Sequence, residues 1–263
     1  MPEFAIEDRW IDSPWGRLFS RRWCPAAAPP NPPIVLLHDS LGCVTLWRDF
    51  PARLAATTQR QVIAYDRLGY GQSDPHPGRN PYDFIHAEPQ RSFAALREVY
   101  QLERFALLGH SVGGGMAIAC AAHYGEACEA LISEAAQAFV EQRTLQGVRA
   151  ARQAFAPQDQ VERLAKYHGD KSAWVLSAWL DTWLAEDFAG WNLDAALRQV
   201  HSPLLALHGD SDEYGSAAHP QRIVALANGP TELALLPDCG HVPHKEQADQ
   251  VLAYCRRWFA RQG

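Results

Sequence analysis

The pentapeptide GHSVG (109–113) is the part of the sequence whose residue types and spacing predict covalent chemistry. It follows the apolar run FALLG (105–109) and opens a stretch with a helical pattern. A serine on a sharp strand-to-helix turn projects outward, and small residues two before and two after it let neighbouring backbone approach. The start of the helix supplies a backbone N–H, here that of Val112, and a positive dipole end. The pattern predicts a nucleophile at Ser111.

A nucleophilic serine needs a base and an acid that orients the base. Behind a turn of this kind, the expected chain order is serine, then an acidic residue, then histidine. Asp210 and Asp212 follow the apolar run LLALH (204–208), and His241 lies in the loop that follows the run LALL (233–236). Both positions lie at carboxyl ends of predicted parallel strands, where α/β sheets build their sites. These residues favour acyl-transfer chemistry.

Two other interpretations compete for the same turn. One is a glycine-rich turn that serves packing alone. The other is a dinucleotide-binding turn formed by Gly109 and Gly114, with Glu134 as its acidic residue. The dinucleotide fingerprint requires a glycine where Ser111 stands. It also normally opens the first strand–helix unit, whereas this turn follows the third buried strand.

Short apolar runs alternate with amphipathic helical segments along most of the chain, which predicts a mostly parallel, doubly wound α/β sheet covered on both faces. An edge strand is expected over Arg17–Trp23, and the proline-rich segment 25–33 after it is expected to be a surface loop. The predicted buried strands are 34–38, 62–66, 105–109, 130–133, 204–208 and 232–236, and the predicted helices are 47–56, 90–101, 111–124 and one over 251–259.

From about Gln137 to Leu197 the patterns are helical without a strand between them. We therefore expect a sheet domain built from residues 1–136 and 196–263, and a helical cap over 137–195. Four of the nine tryptophans fall in this insertion, and Trp174, Trp179 and Trp183 are spaced for roughly one helical face. They either pack the cap onto the sheet or line an apolar substrate pocket, and we expect a mixture of the two.

Five segments together resemble the α/β-hydrolase family, in its capped, esterase-like branch with a serine nucleophile. The resemblance covers nearly the whole chain. The segments are LLHDSLG (36–42), DRLGYGQSD (66–74), GHSVGG (109–114), HGDSDE (208–213) and CGHVPHKE (239–246).

The resemblance implies that Ser111 is the nucleophile, His241 the base and Asp212 the acid. Asp210 is the nearest rival for the acid, and Glu134 is a more distant one. The resemblance also implies that Asp66 and Arg67 have a structural role.

The resemblance further implies an oxyanion hole made of the backbone N–H groups of Val112 and Ser40. The family carries a His-Gly pair before the second donor, whereas this chain has His38-Asp39. A carboxylate beside the hole disfavours a developing oxyanion unless it points away or is paired.

Three other histidines are expected to brace the structure. His110 is expected to pack or to support its neighbours, and His38 and His208 to form hydrogen bonds at strand ends. His241 and His244 do not suggest a metal pair, because Pro243 lies between them and no carboxylate pattern accompanies them. We expect neither a metal nor another cofactor.

Composition excludes several classes. A net charge of −6 over 263 residues does not favour phosphate backbones, so nucleic acid is not an expected partner. No run of 18 apolar residues suggests a membrane span, and the start MPEFAIEDRW does not resemble a signal peptide. The six cysteines form no CxxC pair and are expected to be reduced thiols in a cytoplasmic protein. The expected partner is a small-molecule substrate, and the oligomeric state stays open.

The predicted function is hydrolysis of a carboxylic ester, with a small to medium apolar acyl group or an aromatic substrate, through an acyl-enzyme. A thioesterase, a lactonase or a carbon–carbon bond hydrolase would use the same three residues. A ligand-binding receptor with slow turnover is the alternative of another class. A thioesterase for a phosphate-bearing carrier needs a basic entrance, which four arginines of the early cap offer: Arg143, Arg149, Arg152 and Arg163.

Overall fold

A single eight-stranded sheet organises the described chain, which comprises residues 4–26 and 31–261 of a computed structural model. The strand order is β1-β2-β4-β3-β5-β6-β7-β8, and every pairing from β4 to β8 is parallel. This is the predicted mostly parallel α/β sheet. The strands are β1 (Phe4–Ile11), β2 (Leu18–Pro25), β3 (Ile34–Leu37), β4 (Val62–Tyr65), β5 (Phe105–His110), β6 (Cys128–Glu134), β7 (Leu204–Gly209) and β8 (Thr231–Leu236).

The strand predicted over Arg17–Trp23 corresponds to β2. The prediction that it is an edge strand is wrong, since β2 is the second strand of the sheet. Strand β1 forms the edge and pairs antiparallel with β2. Strand β1 was not predicted, because six of its eight residues are exposed and no buried apolar run marks it in the sequence. Residues 27–30 of the predicted loop lie outside the described residues.

Both faces of the sheet are covered, and alternate residues of one strand supply the two sides. In β3, Val35 and Leu37 join the core beneath one layer of helices, whereas Ile34 and Leu36 join the core of the opposite layer. The helices are α1 (Phe50–Thr58), α2 (Phe84–Ala87), α3 (Ser92–Val99), α4 (Val112–Tyr124), α5 (Gln142–Ala154), α6 (Gln158–His168), α7 (Ser172–Trp183), α8 (Asp194–Leu197), α9 (Ala218–Leu226), α10 (Pro243–Glu246) and α11 (Ala248–Ala260).

The segment between β6 and β7 is helical. It contains α5, α6, α7 and α8, and its β-type pairing within the described chain is a single bridge between Phe139 and Asn192. The chain thus leaves the sheet after one central strand and returns at the next, since β6 and β7 are neighbours.

The turn from β5 into α4 depends on glycine because the backbone of neighbouring strands comes very close. A Cβ at Gly113 would lie 2.1 Å from the carbonyl oxygen of Leu37, at the end of β3. A Cβ at Gly109 would lie 2.0 Å from the carbonyl oxygen of Gly113. Both contacts are backbone contacts, which no side-chain movement relieves. Gly109 and Gly113 therefore allow α4 to begin directly after the carboxyl end of β5.

This packing predicts the effect of two alanine substitutions in α4. Gly113→Ala should lower the free energy of unfolding by more than about 3 kcal/mol, because the new methyl group meets backbone. Gly115→Ala is the matched control, since its Cβ would meet Ile85 Cγ2 at 3.3 Å and Leu193 Cδ1 at 3.5 Å. Alanine also favours a helix, so this change should stay within about 1 kcal/mol. Urea unfolding measures both, and equal losses would contradict the steric account.

Candidate active site

Ser111 occupies the turn between β5 and α4 in a conformation that L-residues rarely adopt. Its backbone angles are φ 55° and ψ −123°, in the left-handed half of conformational space. Its N–H donates to the carbonyl of Glu134 at 2.8 Å, and its carbonyl accepts from Gly114 at 2.8 Å. These bonds hold the residue in a strained conformation, and strain of this kind clusters at functional positions.

His241 and Asp212 complete a chain of hydrogen-bond contacts with Ser111. His241 Nε2 lies 3.0 Å from Ser111 Oγ, and His241 Nδ1 lies 2.8 Å from Asp212 Oδ2. The other carboxylate oxygen of Asp212 accepts from the backbone N–H groups of Tyr214 at 2.7 Å and Gly215 at 3.1 Å. Asp212 is completely buried, so its orientation is set by these contacts. The structure therefore brings the three predicted residues together.

His241 and Asp212 shift each other's pKa values. Burial alone would lower the pKa of His241, but the hydrogen bond and the charge of Asp212 outweigh it and raise that pKa above 6.5. Burial alone would raise the pKa of Asp212, but His241 keeps it below 3.8. At neutral pH Asp212 is therefore a carboxylate, and it stabilises a positive charge on His241.

The two rival acids lie elsewhere. Asp210 is exposed and accepts a hydrogen bond from Ser211 Oγ at 2.9 Å. Glu134 accepts from the backbone N–H of His244 at 2.6 Å, and its other oxygen lies 2.8 Å from His244 Nδ1. Glu134 therefore anchors the segment after His241 rather than the His241 ring.

The loop that carries His241 is tied down at two further points. His110 Nε2 donates to the carbonyl of His241 at 2.8 Å, which is a bracing contact of the kind expected for His110. The Glu246 carboxylate accepts from the backbone N–H groups of Gly240 at 2.6 Å and Val242 at 2.9 Å. Glu246 was not predicted as a site residue, although its position four residues after Val242 was a usable signal for a local carboxylate–backbone contact.

The loop after β3 is held by Arg67, as its structural interpretation implied. The Arg67 guanidinium donates to the carbonyls of His38 at 2.5 Å and Asp39 at 3.0 Å. His38 Nε2 accepts from the backbone N–H of Arg67 at 3.2 Å, so its Nδ1–H donates to the Asp39 carbonyl at 2.8 Å. These contacts position Ser40, which lines the same cavity as Ser111.

That cavity has a volume of about 230 Å³ and lies between the sheet edge and the helical insertion. Gln137, which the sequence analysis missed, lines it with Oε1 at 3.5 Å from Ser111 Oγ. No sequence motif marks this glutamine. The apolar and aromatic lining residues are Leu41, Val148, Trp179, Trp183, Tyr214 and Val242.

Trp179 and Trp183 line the cavity beside Ser111, whereas Trp174 does not. Trp174 stacks on His76 at 4.9 Å and donates from Nε1 to the Gly78 carbonyl at 2.7 Å, outside the cavity that Ser111 lines. A helix turns by about 100° per residue. The four-residue step from Trp179 to Trp183 therefore rotates by about 40°, whereas the five-residue step from Trp174 rotates by about 140° onto another face.

The fold and the strand–turn–helix at Ser111 define an α/β hydrolase, and the family comparison shows the same. The model of the alpha/beta hydrolase fold matches residues 32–176, so the chain belongs to that family.

Individual relatives are hydrolases of different kinds. The chain is 27% identical over 224 residues to "Serine hydrolase BPHL" of Mus musculus, covering 82% of this chain and 75% of that one. Its fold is similar to that of a proline iminopeptidase of Mycobacterium smegmatis, with a TM-score of 0.73 and 20% identity over 97% of this chain and 98% of the other. It is equally similar to an enol-lactonase of Burkholderia xenovorans LB400, with a TM-score of 0.73 and 20% identity over 96% and 100% of the two chains.

None of the helices in the described part of the chain is both long and apolar enough to cross a membrane. No group of three or more histidine, cysteine, aspartate or glutamate side chains within residues 4–26 and 31–261 has a geometry that could hold a metal ion.

The backbone strain at Ser111 predicts that a glycine at this position makes the fold more stable. The free energy of unfolding of Ser111→Gly should exceed that of Ser111→Ala by roughly 1 kcal/mol, because glycine adopts this backbone conformation without strain whereas alanine retains the strain. Chemical denaturation of the two variants measures the difference. Equal stability would show that the turn stores no strain.

Proposed function

We propose that this protein is a serine hydrolase that cleaves carboxylic esters through an acyl-enzyme. Ser111 is the nucleophile, His241 the general base and Asp212 the acid that orients it. The observation that carries the proposal is the continuous contact from Ser111 Oγ through His241 to a buried Asp212, beside a cavity. Nucleophile, base and orienting acid within hydrogen-bond reach of one another are the signature of covalent acyl transfer.

The first half-reaction forms the acyl-enzyme. Ser111 Oγ attacks the ester carbonyl carbon while His241 Nε2 takes the hydroxyl proton, and the carbonyl π electrons move onto oxygen. The backbone N–H groups of Ser40 and Val112 hold this oxyanion. The intermediate then collapses, the bond to the alcohol oxygen breaks, and the protonated His241 gives its proton to the leaving alcohol.

The second half-reaction regenerates the enzyme. A water molecule loses a proton to His241 and attacks the acyl carbon, and the second oxyanion uses the same two N–H groups. Its collapse releases the carboxylic acid and returns the proton from His241 to Ser111 Oγ. Asp212 stays ionised throughout, because its hydrogen bond and charge stabilise the imidazolium in both steps.

The cavity supports small to medium substrates with an apolar or aromatic acyl part. Its volume is about 230 Å³, and aromatic side chains form much of the wall. Trp179 and Trp183 come from α7, so the insertion covers the reactive serine. We therefore divide the chain into a core of residues 1–136 and 196–263 and a helical cap of residues 137–195.

The same three residues would also cleave thioesters, lactones and activated carbon–carbon bonds, and the functional test below includes thioesters and lactones. The arginines that a phosphate-bearing carrier would require are exposed and do not line the cavity; Arg152, for example, pairs with Asp181 at 2.8 Å.

The first test compares p-nitrophenyl esters, aryl lactones and thioesters with the purified chain and with Ser111→Ala. We expect ester turnover with a burst of p-nitrophenol, and a loss of at least about 10³-fold in kcat for Ser111→Ala. Circular dichroism checks that the variant is folded. Full turnover by Ser111→Ala would overturn the assignment, and the absence of both burst and steady state would favour a ligand-binding protein.

The second test compares substitutions of Asp212 and Asp210 and measures how activity depends on pH. Asp212→Asn should lower kcat by about 10⁴-fold, while Asp210→Asn, the matched control, should stay within about twofold of the wild type. His241 accepts a proton only when it is neutral, so activity should fall as pH drops through its raised pKa. The acid limb of kcat/KM should therefore lie above pH 6.5, and in Asp212→Asn it should move to lower pH. A larger loss in Asp210→Asn would mean that the acid has been assigned wrongly.

A further inference from the structure

The cavity beside Ser111 is electrostatically one-sided. Two carboxylate side chains, Asp39 and Glu213, are among its lining residues, and no lysine or arginine is. Asp39 immediately precedes Ser40, whose N–H is proposed to hold the oxyanion. A fixed negative charge here acts against the oxyanion of an acyl-transfer transition state, while the same charge raises the pKa of His241 and favours its imidazolium.

The Asp39 carboxylate has no hydrogen-bond donor among the described residues. Its side chain is 34% exposed, and a Cβ at Gly42 would lie 2.1 Å from Asp39 Oδ1, so this glycine makes room for the carboxylate within the loop. Burial would raise the pKa of Asp39, but His110 and other basic neighbours lower it to about 2. Asp39 is therefore ionised at neutral pH.

His110, which lies at ion-pair distance from Asp39, does not cancel this charge at neutral pH. His110 Nδ1 lies 4.0 Å from Asp39 Oδ1, which is at the limit of an ion pair. Burial lowers the pKa of His110 to about 4, and its Nε2–H is used on the His241 carbonyl. Lys245 also lowers the pKa of Asp39, but it is exposed and does not line the cavity.

Aromatic rings are the second feature of this cavity that suits a cation. Trp179 and Tyr214 both line it, with their ring centroids 5.8 Å apart. The faces of such rings attract ammonium groups, and the attraction grows when the cation is partly removed from water. Carboxylate and aromatic side chains thus line the same cavity.

We propose that Asp39 makes this site select esters whose acyl group carries a positive charge, such as an ammonium group, over neutral and anionic acyl groups. The inference rests on the proposed function. An ammonium group beside Asp39 pairs with the carboxylate and relieves its repulsion of the oxyanion, so the gain is larger in the transition state than in the bound substrate. A neutral acyl group leaves the repulsion in place, and a carboxylate adds to it. Glu213 acts in the same direction from a more exposed position.

The test uses three p-nitrophenyl esters of matched length: aminocaproyl, heptanoyl and adipoyl. With the wild-type chain at neutral pH, kcat/KM should follow the order cationic, neutral, anionic, with at least about a tenfold difference between the ends. This comparison requires no variant. Equal values for the three esters, or a preference for adipoyl, would overturn the proposal.

The variant Asp39→Asn makes the prediction sharper because its two effects have opposite signs. It should lower kcat/KM for aminocaproyl about tenfold and raise it for heptanoyl, since the repulsion of the oxyanion is gone. A variant damaged in folding would lose activity towards both esters. Glu213→Gln should shift the same ratio in the same direction but less. An unchanged ratio in Asp39→Asn would overturn the proposal.

The two proposals fail in distinguishable ways. If none of the three esters is turned over in a manner that Ser111→Ala abolishes, the proposed function is wrong. If all three are turned over with that dependence but show no charge order, the proposed function stands and the role of Asp39 is wrong.

Discussion

The hydrogen bond between His241 Nδ1 and Asp212 Oδ2 is the interaction on which the geometry of the candidate site depends. It joins two loops that follow different strands, β7 and β8, so it exists only when the sheet is assembled. The second oxygen of Asp212 is held by two backbone N–H groups, and His110 holds the His241 backbone from the other side. The imidazole therefore has one orientation, with Nε2 directed at Ser111 Oγ. A buried, fully bonded carboxylate gives this orientation at little cost in reorganisation.

The position of Ser111 is maintained against local backbone preference. Its positive φ is unfavourable for a residue with a side chain, and the strain is tolerated because the surrounding structure determines the turn. Gly109 and Gly113 allow backbone contacts that no other residue permits, and the two hydrophobic cores hold β3 and β5 in register beneath the turn. The site thus uses stability that the rest of the fold supplies.

The three residues of the candidate site and several residues of the cavity wall come from different parts of the described chain. Ser111, Asp212 and His241 follow strands of the sheet, whereas Thr144, Val148, Trp179 and Trp183 come from helices α5 and α7. A loop or helix changes its lining residues more easily than a strand end changes a hydrogen-bond chain. Such a separation allows one fold to serve different hydrolases, such as the iminopeptidase and the enol-lactonase whose folds are similar to that of this chain. Asp39 departs from this separation, since it adds a carboxylate to the cavity from the loop after β3, next to Ser40.

The sequence by itself determined the features that local pattern encodes. Buried parallel strands are continuous apolar runs, so β3 to β7 were predictable, and the GHSVG turn identified Ser111 because strand, turn and helix follow one another directly. The sequence could not reveal β1, whose residues are mostly exposed, nor distinguish Trp174 from Trp179, since the face that a helix buries depends on its partner. The residues alone left open whether Asp210 or Asp212 contacts His241, and the tertiary structure decided this contact by burying Asp212 against His241 and leaving Asp210 in solvent. Gln137 and the contact of Glu134 with His244 were likewise decided by tertiary structure, because contacts between residues far apart in sequence leave no local signal.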